Sequence, residues 1–280
     1  MSATRGSFPV AAPNAQAEVP VRIPREQKYD RYIVPTAGAI VGIVAWEVSV
    51  RAFNIPEYLL PAPSRVLESM VVNFEQLIGA LGATVLSAGI GFLIAFVISI
   101  ILAALISESK LINQLIYPWL VVAHAIPKAA IAPLFLVWLG FGLASKVMFV
   151  VTFCVFPLVV NAVSGLGQAN PDQVQLVRAM GAKRSTVFRL IRIPTALPSL
   201  FAGIKISATL APVGAVIGEF VASNDGIGHL LIGAIGNLDT PIAFAAIVLV
   251  SAFGVAIWYA VELLERRSIP WHVSQRKQGK

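Results

Sequence analysis

Apolar residues run through this chain in long blocks, divided by short polar stretches. A helix that crosses a bilayer needs about 20 mainly apolar residues. Segments at about 32–50, 79–106, 113–139, 146–167, 198–222 and 241–263 reach that length. In the first, Pro35 falls where an early helical turn tolerates it. The second carries no charge. The third is interrupted by Pro127, Lys128 and Pro133, which predicts either two half-helices or a re-entrant piece. Pro157 lies inside the fourth. The pattern predicts an all-α polytopic membrane protein with about six transmembrane helices.

Small residues repeat at every fourth position in two of these blocks. One stripe is Gly79, Ala83, Ser87, Gly91, Ala95, Ser99, Ala103 and Ser107. The other is Ser199, Gly203, Ser207, Ala211 and Ala215, and it ends at Glu219. A step of four on a 3.6-residue helix advances about 40°, so each stripe spirals and meets more than one neighbour. Small residues let helix backbones approach closely in lipid. Such stripes predict a compact bundle and say nothing about cargo.

Composition agrees, since only 12% of residues are charged, against roughly 25% in soluble domains. The placement of the 21 Lys and Arg residues then fixes an orientation. With the N-terminus inside, only Arg51, Arg65 and Lys146 fall on the outside, and Lys128 and Lys205 fall within spans. All the others lie on the cytoplasmic side, as a six-span protein with both termini inside requires. Basic charge here marks topology, and no nucleic-acid partner is expected. Residues 1–28 lack the apolar core of a secretory signal and read as a disordered cytoplasmic tail. The permease domain is expected over 29–265 and a cytoplasmic tail over 266–280.

The one large polar insert is Gln168 to Pro198, cytoplasmic by the charge placement. Asn170-Pro171-Asp172 is a helix-start signal. Val174, Val177 and Met180 follow at helical spacing. Gly181 breaks the pattern and suits a left-handed backbone at a helix end. Ser185 is expected to cap a second short helix with Val187, Phe188 and Ile191 on its apolar side. Pro194 and Pro198 are expected to end that helix. The pattern alone fits either an interfacial helix pair on anionic lipid or a docking element for a cytoplasmic partner.

Chemistry is sparse. A single Cys154 excludes an internal disulfide, and His124, His229 and His272 share no ligand spacing. A phosphate-binding loop needs Gly-x4-Gly-Lys-Ser/Thr. Gly181-Ala182-Lys183 does not supply it, so no nucleotide or other cofactor is expected on this chain. Charges within spans are costly and mark pathways. Lys128, with His124 one turn before it, Lys205 and Glu219 are therefore candidates for a translocation path. Snorkelling of Lys205, support of a helix break by Lys128 and structural pairing of Glu219 are the competing readings.

The insert resembles the EAA loop of ABC-importer permeases, whose pattern is Glu-Ala-Ala-x3-Gly-x9-Ile-x-Leu-Pro. Gly181 stands at the Gly, Ile191 at the Ile and Ile193-Pro194 at Leu-Pro, while Gln175, Leu176 and Val177 replace the Glu-Ala-Ala triplet. Pro61-Ala62-Pro63-Ser64, Pro127-Lys128-Ala129, Trp138-Leu139-Gly140-Phe141-Gly142, Gly218-Glu219-Phe220, Gly226-Ile227-Gly228 and Arg266-Arg267 extend the likeness. Together they resemble the permeases for nitrate, sulfonates and taurine. The resemblance implies a type I importer permease fold in the inner membrane, paired with a second permease copy. It further implies a separate P-loop ATPase and a periplasmic or lipid-anchored solute-binding protein. The permease itself would not be an enzyme, and its solute would be small and anionic. A transporter or channel acting alone is the alternative. Carried over, the ATPase-docking residues are Asp172, Gln175, Arg178, Ala179, Gly181, Ala182 and Arg184.

Overall fold

The computed structural model describes residues 27–270, and every defined element in that range is helical. The described residues fall into two compact units, one ending at Trp46 and one beginning at Glu47. The tails expected at the two ends lie outside the described residues, except at their inner edges, which join the first and last helices. His272 also lies outside.

Helix α1 spans Gln27–Ala52. Its polar start lengthens it beyond the apolar run, so Pro35 sits well inside the helix instead of in its first turn. A short helix α2, Pro63–Val72, precedes the 35-residue α3, Phe74–Glu108. Helices α4, Lys110–Ala125, and α5, Lys128–Leu139, meet at a 97° bend. The break falls at Ile126-Pro127, because proline disfavours helical backbone in the residue before it. Helix α6 is Leu143–Gly167 and α7 is Pro171–Ala179. Arg184–Val187 forms α8, and α9 is Ile193–Ala222. Helix α10, Ile227–Gly236, and α11, Thr240–Ser268, complete the set. Five helices are long and apolar enough to cross a bilayer, and the bent α4–α5 pair brings the number to six if it counts as one broken span.

Helices α6 and α9 form the most extensive interface, with α3 packed against both. The small-residue stripes lie in these contacts. Ser87, Gly91, Ala95, Ser99 and Ala103 of α3 are buried, as are Gly203, Ser207, Ala211 and Ala215 of α9. A Cβ at Gly203 would stand 2.7 Å from the Asn161 Cβ, so only glycine allows that approach. Two hydroxyls in this apolar interior are satisfied between helices. Ser207 Oγ donates to the Cys154 carbonyl at 3.0 Å, and Ser99 Oγ donates to the Val155 carbonyl at 3.2 Å. Unpaired, each would carry a desolvation penalty in hydrocarbon.

Candidate functional site

Two polar assemblies sit at opposite ends of the bundle, a third joins α9 to α11, and a fourth lies at mid-height. The first is the polar insert. Asn170 caps α7, its Oδ1 accepting from the Asp172 N–H at 2.9 Å, as the helix-start signal predicts. Gly181 ends the turn at φ +83°, a left-handed value that costs a side-chain-bearing residue energy. The next two expectations fail. Lys183, not Ser185, occupies the cap position of α8, and Ser185 lies inside that helix. Nor does the helix stop at Pro194. A π-turn over Phe188–Arg192 links α8 to α9, with the Ile193 N–H bonding five residues back to the Phe188 carbonyl. A widened turn moves the carbonyl that the proline ring would otherwise strike and needs no N–H from Pro194. Pro198 is absorbed further along the same helix.

The insert is tied to α3 by a residue the sequence did not single out. Glu108, at the end of α3, pairs with Arg184 at 2.5 Å and lies 3.7 Å from Arg192. Glu108 and Arg192 border a cleft of about 550 Å³ that also includes Asn113, Gln175 and Arg178. Asp172, Gln175, Arg178, Ala179, Gly181 and Arg184 are exposed, and Ala182 is half-buried. Val174 and Val177 are half-buried, but Leu176 and the C-cap residue Met180 face outward.

At the opposite end, Glu219 is 1% exposed. Its Oε2 accepts from Thr84 Oγ1 on α3 at 3.0 Å and from the Gly228 N–H at 2.8 Å. Thr84 in turn accepts from the Ile227 N–H at 2.9 Å. These two N–H groups open α10, where helical donors lack intrahelical partners. The Gly218-Glu219 and Gly226-Ile227-Gly228 sequences thus have a joint physical reason. Gly226 has φ +97°, and a side chain on it would run into the Glu219 carboxylate. Lys146, expected in an outer loop, lies in the first turn of α6 and is buried. It pairs with Asp225 at 2.5 Å, and with the Ser223 hydroxyl it holds that carboxyl below its ordinary value.

Lys205 bridges Glu262 and Glu265 of α11 and stands over the Trp258 ring. At mid-height, His124 stacks on Phe156 with ring centroids 3.8 Å apart. Lys128 Nζ approaches His124 Nδ1 at 3.2 Å and lies 5.1 Å from the Phe153 ring centre. The structure therefore joins His124 to Lys128 and keeps both apart from Lys205 and from Glu219.

Comparison with known proteins adds a lineage. Residues 95–269 match the family model described as binding-protein-dependent transport system inner membrane component. The formylaminopyrimidine transport permease protein ThiX of Halalkalibacterium halodurans is 33% identical over 86% of this chain and 96% of its own length. The riboflavin transport system permease protein RibX of Chloroflexus aurantiacus is 32% identical over 90% of this chain and 96% of its own. SsuC of Bacillus subtilis, a permease named for aliphatic sulfonates, is 26% identical over 94% of this chain and 95% of its own.

Proposed function

Because this chain belongs to the family of binding-protein-dependent transport system inner membrane components, we propose that it is the pore-forming permease of an ATP-driven importer. A separate P-loop ATPase supplies the energy, and a periplasmic or lipid-anchored solute-binding protein delivers the cargo. A second copy of the chain completes the pore within membrane lipid. The basic residues of α7, α8 and the π-turn gather at the same end of the bundle as Arg266 and Arg267. Basic excess favours the cytoplasmic side for that end and for both termini.

One observation carries the coupling role. The α7–Gly181–α8 hairpin presents an exposed basic and apolar surface and runs without a loop into the fifth span. A partner that grips the hairpin therefore grips α9. Asp172, Gln175, Arg178, Ala179, Gly181, Ala182 and Arg184 form the docking surface, with Arg184 oriented by Glu108. His124 and Lys128 line the path, while Lys205 and Glu219 support it through their partners. The solute is small and anionic, of the sulfonate kind for which SsuC is named.

Gly181→Asp tests the docking role. The substitution strains the turn and adds a negative charge to a basic surface. The variant is expected to insert normally yet lose ATP-coupled uptake and binding-protein-stimulated ATP hydrolysis. Stimulated hydrolysis at the parental rate would remove the docking role.

A further inference from the structure

Lys128, Lys146 and Lys205 all carry charge within apolar helices, and their surroundings differ in one respect. Lys146 is paired with Asp225, and Lys205 with Glu262 and Glu265. Among the described residues no carboxylate pairs with Lys128. Its contacts are a histidine nitrogen and a phenylalanine face, which stabilise a cation without neutralising it. Its position adds to the cost, because it is the first residue of α5, where the helix dipole opposes positive charge. It lies level with Phe153 and Phe156, near the middle of α6 and away from both ends of that helix.

A charge at that depth faces a protein interior or a water-filled cavity, not lipid. The surrounding surface is open in the single chain, since His124, Ala125 and Ala129 are exposed and Lys128 is half-exposed. The 97° break places this surface at a discontinuity, the kind of helix interruption that transporters place at solute sites.

We propose that Lys128, set against His124 and the Phe153 and Phe156 rings, is a mid-membrane contact site for a solute bearing an oxyanion group such as a sulfonate or carboxylate. The missing counter-charge is the one the solute brings during its passage. The ammonium needs no acid partner from the chain because such a partner would compete with the cargo. This inference rests on the permease reading and names the solute chemistry of its path.

Charge-selective thiol labelling in cells that express the full chain with its ATPase tests the site. A thiol is introduced by Ala129→Cys beside the lysine, and native Cys154 is fully buried. Rates are compared for a sulfonate-bearing and a trimethylammonium-bearing methanethiosulfonate of similar size. The sulfonate reagent is expected to react at least about fivefold faster, as a nearby cation in a partly aqueous site dictates. Adding Lys128→Met should remove that preference, and Lys128→Arg should keep it. Two results would each overturn the site, namely no labelling by either reagent or the same rate ratio with and without the lysine. Loss of ATP coupling at Gly181 is read separately, so failure here leaves the permease reading standing or falling on its own test.

Discussion

Thr84 on α3 donates a 3.0 Å hydrogen bond to Glu219 on α9, and the same hydroxyl receives the Ile227 N–H that opens α10. One threonine and one glutamate thus fasten three helices at the end opposite the polar insert. The Glu219 side chain has a structural occupation, with its Oε2 accepting from one hydroxyl and one backbone N–H.

Glu219→Ala should therefore destabilise the folded protein by about 2–4 kcal/mol, through stranded donors and an emptied site. Thr84→Val should cost less, because the Gly228 N–H keeps its acceptor. Thermal unfolding in detergent ranks the two variants. Equal midpoints would remove the clamp.

Removing Lys205 should be worse than removing one of its acids. Lys205→Met leaves Glu262 and Glu265 facing each other with only Arg266 in support. Breaking a buried ion pair costs about 3–5 kcal/mol. Adding Glu262→Gln should restore part of that loss. A double variant less stable than Lys205→Met would contradict the bridged arrangement.

Glu108→Gln should loosen the insert while sparing the spans. Both Arg184 and Arg192 lose their charged partner. Their exposure limits the stability change to about 1 kcal/mol or less. Protease cleavage near residues 180–184 should quicken, with unfolding temperature nearly unchanged. Unaltered cleavage would show that the pair does not order the hairpin.

The Lys146–Asp225 pair sets a pH dependence. Asp225 has a lowered pKa in the folded protein, so its contribution is complete above its ordinary value of 3.8. It is lost as pH falls further, through the folded value. Asp225→Asn should unfold at lower temperature than the parent at pH 7, and the difference should shrink as pH falls below 3.8. A difference that persists unchanged into strong acid would contradict the pairing.

Much of this fold is legible in the sequence because membrane solvent leaves few options. Long apolar blocks give the spans, Gly181 marks its own positive φ, and the small-residue stripes locate the α3, α6 and α9 contacts. Other features are hidden for physical reasons. Pro194 and Pro198 read as helix ends, yet a π-turn accommodates the first and the helix continues past the second. Glu108, Thr84 and Asp225 act across long sequence separations, so no local pattern marks them. Their signal was scarcity, since a lone acid or hydroxyl at the edge of an apolar block needs a partner somewhere. For Lys128 the sequence shows the charge, and only the structure shows that its neighbours decline to cancel it.

The unbroken course from Arg184 to Ala222 has a mechanical consequence. At 1.5 Å per residue this is a shaft of roughly 60 Å. It is pinned at its near end by Glu108 and at its far end by Thr84. With both ends held, displacement at one end would be carried to the other as tilt or rotation, except for whatever the widened π-turn absorbs.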